Sequence, residues 1–334
     1  MVAPGSQNLP AFLESWGELA VSPTSPEDTR HVNAVFRHKH PLGPAQTLWW
    51  PAGTKESTPD TVILFLPGNP GLLGFYIPFL TAIHAATSSS SLSIIAHGYL
   101  GLQSCFGGDS NRPDVPTIQL PAQIEAKLEV VDALRLAYGP KTKILLVGHS
   151  LGTWMALQIL KARPDVAAGA FLLFPTVSDM GGTPNGKRFS HLFRPPLPRI
   201  ISHLSVLVRS LPLRILSVLF PGWPDAQLLV LRTLLRSPSA IYTVLTLANN
   251  EIETIRELDV AVLDQHVEHL WLYFAEDDDW VGEQREHILR ALHGTPAAVR
   301  VVHGHRDVPH AFSINHGEEL ATQCLEWLRT GNFV

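Results

Sequence analysis

The chain has 334 residues, of which 45% are hydrophobic and 16% are charged, a composition that supplies a large apolar core and is not typical of a disordered protein. Its 25 lysines and arginines and 30 aspartates and glutamates give a net charge of −5, so we expect no nucleic-acid partner. Two cysteines are too few for a disulfide scaffold, and the sequence shows neither a signal-peptide pattern nor a long uninterrupted apolar stretch. We therefore expect a protein of a reducing compartment with no signal peptide and no simple transmembrane span.

Short apolar runs alternate with helix-like segments along most of the chain. Residues 1–30 are rich in Pro, Ser and Glu and are predicted to be a loosely ordered segment. The elements predicted after it are, in chain order, strands His31–Phe36, Gln46–Trp50 and Thr61–Leu66, helix Phe75–Ala86, strand Leu92–Ala96, helix Gln119–Tyr138, strand Lys143–Val147, helix Thr153–Ala162, and strands Phe171–Phe174, Leu270–Phe274 and Val299–Val302. Strands that alternate with helices predict an α/β fold with a mostly parallel sheet covered by helices.

Residues 176–250 interrupt this alternation. Between Lys187 and Arg236 the only acidic residue is Asp225, against eight basic residues: Lys187, Arg188, Arg194, Arg199, Arg209, Arg214, Arg232 and Arg236. We expect residues 31–175 and 251–334 to form the α/β core, and residues 176–250 to form an apolar, basic helical cap over one end of the sheet.

The sequence Gly148-His149-Ser150-Leu151-Gly152 has the Gly-X-Ser-X-Gly pattern, between a predicted buried strand and a predicted helix. That context is typical of the nucleophile elbow of α/β-hydrolases, in which a serine is exposed at a tight strand-to-helix turn. The alternative interpretation is that Ser150 only caps the helix, since serine is a favoured N-cap residue.

A serine nucleophile needs a base and an acid, which follow it in the chain order Ser, Asp or Glu, His in this fold class. Asp278, shortly after the strand Leu270–Phe274, is the predicted acid, and Asp279 is the alternative. Among the histidines after the last strand, His310 is the predicted base, whereas His303 and His305 are interpreted as structural or surface residues. The backbone N–H groups of Leu151 and Asn69 are predicted to form the oxyanion hole, because Pro67 and Pro70 have no N–H to donate. The chemistry requires no metal and no other cofactor.

Several short motifs together resemble the lipid droplet-associated hydrolase family. They are Leu66–Gly71 (LPGNPG), Phe75–Phe79 (FYIPF), Gln123–Leu128 (QIEAKL), Gly148–Gly152 (GHSLG), Leu173–Thr176 (LFPT), Pro184–Gly186 (PNG), Leu247–Asn249 (LAN) and Pro309–Phe312 (PHAF). The resemblance implies an α/β-hydrolase fold, with Ser150 as nucleophile, Asp278 as acid and His310 as base. It also implies residence on lipid droplets and on the cytosolic face of the endoplasmic reticulum, and esterase activity on sterol esters.

The segment Leu197–Gly222 is rich in Leu, Ile and Val, and its only charged residues are arginines. Pro212 is predicted to divide it into two short helices, which can insert into a phospholipid monolayer with the arginines at the headgroups. The lipid-contacting residues predicted on this basis are Leu197, Ile201, Leu204, Leu211, Pro212 and Leu216. The alternative is that these helices only form the roof of a substrate pocket.

These observations favour a serine hydrolase that cleaves a hydrophobic carboxylic ester, such as a sterol ester or another neutral lipid, through an acyl-serine intermediate. The expected partners are the lipid ester and the lipid-droplet monolayer or a membrane surface. Two alternatives stay open. One is a lipid-droplet organising protein with weak or no activity. The other is a thioesterase or peptidase with the same triad, since thioester cleavage passes through the same intermediate.

Overall fold

The computed structural model describes residues 9–15, 31–53, 58–88, 91–106, 113–292, 300–304 and 307–334. Within these residues, nine strands form one sheet: β1 Glu14–Ser15, β2 Val32–Arg37, β3 Pro44–Trp50, β4 Thr61–Leu66, β5 Leu92–His97, β6 Lys143–His149, β7 Gly169–Leu173, β8 Leu270–Phe274 and β9 Arg300–His303. Their order across the sheet is β1-β2-β3-β5-β4-β6-β7-β8-β9. The pairs β1/β2, β2/β3 and β3/β5 are antiparallel, and all pairs from β5 to β9 are parallel. The predicted mostly parallel sheet is thereby confirmed.

Twelve α-helices accompany the sheet in the part of the chain that the structure describes. They are α1 Ile77–Ala86, α2 Val115–Ile118, α3 Leu120–Tyr138, α4 Leu151–Ala162, α5 Pro184–Phe193, α6 Leu197–Leu204, α7 Leu213–Leu219, α8 Asp225–Leu235, α9 Pro238–Thr254, α10 Val260–His266, α11 Gln284–Leu292 and α12 Gly317–Thr330. Helix α1 packs against α12, while α3, α4, α10 and α11 form a second series of contacts. Strands β4, β5, β7 and β8 are buried along their whole length, as expected for central strands covered on both faces.

The predicted catalytic residues Ser150 and Asp278 follow the carboxyl ends of central strands. The carboxyl ends of parallel strands meet at one edge of the sheet, where α/β proteins place their binding sites. At that edge β4 leads into Pro67–Gly71, β6 leads into Ser150, and β8 leads into the acidic turn that contains Asp278. Side chains far apart in the sequence are therefore brought together by the sheet alone.

Most differences from the predicted elements occur at strand ends. The strand before Ser150 continues to His149, and α4 begins directly at Leu151, so the turn between them is shorter than predicted. Phe174 has left the strand, with a φ of 52°, and its N–H donates to the Tyr273 carbonyl oxygen at 2.8 Å. Val299, the predicted first residue of the last strand, lies outside the described residues.

Of the predicted N-terminal segment 1–30, the structure describes residues 9–15, and the rest lies outside the described residues. Leu13 is buried against the core, and the two-residue strand β1 pairs with β2. A strand of two residues has too little pattern to be recognised in a sequence, and its position depends on the neighbouring strand.

Between β7 and β8 the described chain forms six α-helices, α5 to α10, and the first five of them account for the segment predicted as a cap. Helices α5, α6 and α8 pack against α9, and α7 packs against α8. Helix α6 ends at Leu204, and α7 begins directly after Pro212, which is its N-cap residue. The predicted boundary at residue 250 falls inside α9, which ends at Thr254. We use the term cap for residues 176–250.

No single helix in the described part of the chain is both long enough and apolar enough to cross a membrane. Helices α8 and α9 together reach that length and apolar character, but the chain bends by 92° at their junction.

A buried chain of polar groups joins α3 to the antiparallel side of the sheet. Lys127 Nζ donates to His97 Nδ1 at 2.7 Å, to the His97 carbonyl oxygen at 3.0 Å and to the Gly98 carbonyl oxygen. The other ring nitrogen of His97 lies 3.2 Å from His38 Nε2, and His38 Nδ1 lies 2.9 Å from a carboxylate oxygen of Glu129. Burial lowers the pKa of Lys127 well below its ordinary value.

Candidate active site

Ser150 occupies a strained turn between β6 and α4, with φ 51° and ψ −121°. A positive φ is unfavourable for a residue that carries a side chain. An added Cβ on Gly148 would lie 2.4 Å from the Gly152 carbonyl oxygen, and one on Gly152 would lie 2.0 Å from the Leu66 carbonyl oxygen. Only glycine fits at these two positions, so the Gly-X-Ser-X-Gly pattern here has the strand–turn–helix geometry of a nucleophile elbow.

The Ser150 hydroxyl makes no capping hydrogen bond to α4. Its Oγ instead lies 2.9 Å from His310 Nε2, and His310 Nδ1 lies 2.8 Å from Asp278 Oδ2. The chain order, the distances and the two separate ring nitrogens match the hydrogen-bond pattern of a Ser-His-Asp triad. The structure therefore brings the three predicted catalytic side chains together.

Backbone groups of the acidic turn fix the orientation of Asp278. Its Oδ1 accepts from the N–H groups of Trp280, at 2.9 Å, and Val281, at 3.1 Å, which leaves Oδ2 directed at His310. The side chain of Asp279, the alternative acid, is exposed. Among the other candidate bases, His303 is exposed at the end of β9, and His305 lies outside the described residues.

Of the two residues predicted to form the oxyanion hole, Leu151 follows Ser150 in the chain, and Asn69 follows Gly68, which approaches Ser150 in space. Leu151 is the first residue of α4, so its N–H has no acceptor within the helix. An added Cβ on Gly68 would lie 2.9 Å from Ser150 Cβ, so the residue that precedes Asn69 is packed against the serine. No hydrogen bond occupies the Asn69 N–H within the described parts of the chain.

Two further residues connect the groups around the serine. Gly68 N–H donates to the Tyr76 hydroxyl at 3.1 Å, and that hydroxyl lies 2.8 Å from His149 Nδ1. His149 Nε2 lies 2.9 Å from the carbonyl oxygen of His310, which can only accept, so Nε2 carries the proton and Nδ1 accepts from Tyr76. Burial lowers the pKa of His149 well below its ordinary value. A neutral imidazole therefore links the loop after β4 to the backbone of His310.

Sequence reasoning did not single out Tyr76 or His149 as functional residues. His149 is the variable position of the Gly-X-Ser-X-Gly pattern, and Tyr76 lies in the FYIPF motif. Residues of this kind are recognised as polar side chains that are buried close to a glycine of the motif. The sequence does not reveal which polar side chains are buried, so it does not identify them.

A cavity of about 400 Å³ opens beside Ser150 and His310. Its wall is mostly apolar, and the cap contributes Phe193, Trp223, Leu231, Leu234, Val244 and Leu245 to it. The most unusual polar group in the wall is Glu251 on α9, which sequence reasoning also missed. Burial raises the pKa of this carboxyl to about 8. The site thus combines a hydrogen-bonded serine with a space suited to an apolar ligand.

The predicted lipid-contacting residues differ in their exposure to solvent. Leu204 and Pro212 are exposed, and Leu197, Ile201 and Leu211 are half-buried. Leu216 is 1% exposed and faces inward, so its prediction as a lipid contact is wrong. In a short helix that is apolar on most sides, the sequence does not reveal which side packs on the protein. The large apolar residues exposed on α6, α7 and the adjoining turn, which we call the apolar face, are Ile200, Leu204, Val206, Leu207, Ile215, Val218 and Leu219.

A sequence model of the lipid-droplet associated hydrolase family matches residues 59–313. The chain belongs to this family. It is 27% identical over 297 residues to the lipid droplet-associated hydrolase of Mus musculus, covering 81% of this chain and 86% of that protein. The corresponding protein of Homo sapiens is 28% identical over 295 residues, covering 81% and 85%. That of Dictyostelium discoideum is 26% identical over 290 residues, covering 82% and 90%.

Solved structures of α/β-hydrolases share the fold of this family member. The haloalkane dehalogenase DatA from Agrobacterium tumefaciens superposes with a TM-score of 0.60 at 17% identity, covering 91% of this chain and 98% of that chain. The haloalkane dehalogenase DbeA from Bradyrhizobium elkani gives a TM-score of 0.61 at 13% identity, covering 90% and 99%. At these identities the likeness concerns the fold alone. Family and fold together support a hydrolase with the α/β-hydrolase fold.

Proposed function

We propose that the protein is a serine hydrolase that cleaves a hydrophobic carboxylic ester through an acyl-serine intermediate. The observation that carries this proposal is the hydrogen-bonded series Ser150, His310 and Asp278 at the wall of a mostly apolar cavity. The same three residues account for both halves of the reaction, acylation and deacylation.

The hydrogen bonds support one role for each group. Because Asp278 accepts from His310 Nδ1–H, the other nitrogen, Nε2, is free to accept the proton of the Ser150 hydroxyl. Ser150 Oγ attacks the ester carbonyl, and the N–H groups of Leu151 and Asn69 stabilise the oxyanion of the tetrahedral intermediate. His310 then gives its proton to the leaving alcohol. In the second half, His310 takes a proton from water, which attacks the acyl carbonyl. His310 then returns that proton to Ser150 Oγ as the acyl–oxygen bond breaks, and the acid is released.

The apolar wall of the cavity supports an acyl chain or sterol as the hydrophobic part of the substrate. Neutral lipid esters, including sterol esters, are the substrate class we propose, and an acyl thioester is the second candidate because it forms the same acyl-serine. The test is a series of p-nitrophenyl esters of increasing acyl length, together with a thioester of the same acyl group, with Ser150→Ala as control. We expect turnover to rise with chain length and to be lost in the control. Fastest cleavage of the acetate, or activity that survives in Ser150→Ala, would contradict the proposal.

We also propose that the apolar face docks on the monolayer of lipid droplets and on the cytosolic face of the endoplasmic reticulum. Leu207 and Val218 are each 78% exposed, and the exposed arginines Arg199, Arg209 and Arg214 lie on the same segment. Apolar side chains flanked by arginines suit a surface of acyl chains beneath phosphate headgroups. The family's droplet-associated relatives support the same location.

The docking test replaces side chains that do not pack in the core of the protein. Because burying a leucine in an apolar medium contributes about 1.5–3 kcal/mol, the double variant Leu207→Asp, Val218→Asp should lower the droplet-bound fraction at least about tenfold in a flotation assay. Leu136, which is 88% exposed on α3, gives the matched control Leu136→Asp, which should float like the wild type. Equal flotation of all three proteins would contradict docking through this face.

The exposed apolar face also favours a second candidate function, the organisation of droplets without catalysis. The two functions can be separated in cells that contain lipid droplets, lack the wild-type protein and express Ser150→Ala. If that variant restores droplet size and number as well as the wild type does, the droplet-organising role is the main one.

A further inference from the structure

Helix α9 fixes the side chain of Asn69. Asn69 Nδ2 donates to the carbonyl oxygen of Val244 at 3.1 Å and to Glu251 Oε1 at 2.7 Å. A backbone carbonyl oxygen can only accept, so the contact with Val244 sets which end of the amide is nitrogen. Asn69 Oδ1 is buried and has no donor among the residues that the structure describes. The amide is therefore held through its nitrogen, by two acceptors on one helix.

Glu251 is a buried carboxyl in the wall of the cavity that contains Ser150. The residue is 3% exposed. Burial raises its pKa to about 8, and the hydrogen bond from Asn69 acts in the opposite direction. At neutral pH the group is a carboxylic acid, which still offers an oxygen to Asn69 but places no charge in the apolar cavity.

The backbone of Asn69 lies where the oxyanion is expected to form. Gly68 is packed against Ser150, and Asn69 lines the same cavity as the serine. Pro70 has no N–H, so Asn69 carries the last backbone donor before the proline. We propose that Glu251 is a positioning residue: by holding the Asn69 side chain, it fixes the Asn69 N–H as a donor to the oxyanion. This proposal rests on the proposed ester hydrolysis at Ser150.

Several titratable groups face Glu251 from other elements. Tyr76, His149 and His310 line the same cavity. Burial raises the pKa of Tyr76 and lowers that of His149, so both are neutral around neutral pH. Burial, with a further contribution from the charge of Glu251, raises the pKa of Tyr99 well above its ordinary value. Tyr76, His149 and Tyr99 therefore do not become charged as the pH rises to mildly alkaline values.

The helices that contact α9 add few charges near Glu251. Burial raises the pKa of the Cys105 thiol to about 12, so it is neutral as well. On α3, Lys127 is engaged in its own buried chain of polar groups and Glu125 is exposed. On α5, α6 and α8 the charged or titratable side chains are exposed apart from the half-buried Arg232: Lys187, Arg188, His191, Arg199, His203 and Asp225. Glu253, on α9 itself, is also exposed.

Ionisation of Glu251 has a direct consequence for the reaction. A carboxylate beside the oxyanion hole repels the negative charge of the tetrahedral intermediate, so hydrolysis should slow as the pH rises through the pKa of Glu251. Glu251→Gln keeps an oxygen for Asn69 but cannot ionise, whereas Glu251→Leu removes the acceptor. Glu253→Gln is the matched control, since it changes an exposed glutamate on the same helix.

The experiment measures ester hydrolysis in a pH-stat from about pH 6 to about pH 10 for wild type, Glu251→Leu, Glu251→Gln and Glu253→Gln. Since both acylation and deacylation pass through an oxyanion, Glu251→Leu should lower kcat about 10- to 100-fold with KM within about threefold. Glu251→Gln should keep kcat at neutral pH within about threefold of wild type and lose the alkaline decline. Glu253→Gln should reproduce the wild-type profile.

Labelling with a fluorophosphonate separates failure of this proposal from failure of the proposed function. If wild type is labelled at Ser150 and hydrolyses esters, but Glu251→Leu keeps the wild-type kcat, the positioning role is wrong and the proposed function stands. If Glu251→Gln still loses activity at alkaline pH, the positioning role is also wrong and the proposed function stands. This result is decisive if Glu251→Leu fails to fold. A folded wild type that neither labels nor hydrolyses any ester overturns both.

Discussion

Replacing Asp278 by Asn tests the triad, because the substitution changes which ring nitrogen of His310 carries the proton. Asp278 Oδ1 accepts from two backbone N–H groups, at 2.9 Å and 3.1 Å. In Asp278→Asn those groups require the amide oxygen to stay on that side, so the NH2 group must face His310. A donor opposite His310 Nδ1 forces that nitrogen to become an acceptor. The proton then moves to Nε2, which can no longer accept the proton of Ser150.

The size of the effect follows from this change of tautomer. The corresponding Asp-to-Asn change in serine proteases lowers kcat about ten-thousandfold. At about 1.36 kcal/mol for each factor of ten, the activation barrier for hydrolysis should rise by about 5.4 kcal/mol. The fold should be little affected, because the amide keeps the size of the carboxylate and its two backbone hydrogen bonds.

The assay is steady-state hydrolysis of an activated ester, with stability checked by chemical denaturation. Asp279→Asn is the matched control, because it removes the neighbouring carboxylate, which is exposed, and should leave kcat within about twofold of wild type. A folded Asp278→Asn protein with more than a tenth of wild-type kcat, or a larger loss in Asp279→Asn, would refute the assignment of Asp278.

Three further predictions concern the free energy of unfolding. Gly152→Ala places a methyl group 2.0 Å from the Leu66 carbonyl oxygen and should lower the free energy of unfolding by about 3 kcal/mol in urea titrations; an unchanged midpoint would contradict the need for glycine at the elbow. Lys127→Met leaves His97 Nδ1 and the carbonyl oxygens of His97 and Gly98 without their donor and should cost about 3 kcal/mol in the same assay, whereas a loss under about 0.5 kcal/mol would show that the buried chain of polar groups contributes little. The folded-state pKa of Glu251, about 8, lies above the ordinary value of 4.5, so folding takes up a proton between these pH values. Over this range, stability relative to Glu251→Gln should fall by about 1.4 kcal/mol for each unit of rising pH, and parallel stability curves for the two proteins would show that the carboxyl is not buried in its neutral form.

Much of the fold is visible in the sequence because its signals are local. The strand Thr61–Leu66 coincides with β4, and Leu270–Phe274 coincides with β8, since an apolar run bounded by turn residues is sufficient to define a buried strand. The signal that identifies Ser150 is also local, because the turn requires the two glycines of the Gly-X-Ser-X-Gly pattern. The family resemblance agrees with the family match found for residues 59–313.

Other features depend on contacts between distant parts of the chain. The sequence alone does not distinguish between three consecutive aspartates. The choice between Asp278 and Asp279 depends on which carboxylate reaches His310 in the folded chain. An aspartate that accepts N–H groups two and three residues later is a turn signal, and it points to Asp278. Glu251 is 182 positions from Asn69 in the chain, so no local pattern links them. The prediction of Leu216 as a lipid contact is wrong for the same reason, because its burial is set by the neighbouring helices.

The central claim is that Ser150 is an activated nucleophile, and covalent labelling tests it most directly. Purified protein is incubated with a long-chain alkyl fluorophosphonate, and the product is examined by intact mass and by peptide mapping, beside Ser150→Ala and His310→Ala. We expect one adduct per chain, located at Ser150, absent from Ser150→Ala and formed far more slowly in His310→Ala. A folded wild-type protein that takes up no label, or that carries the label at another residue, would contradict the claim.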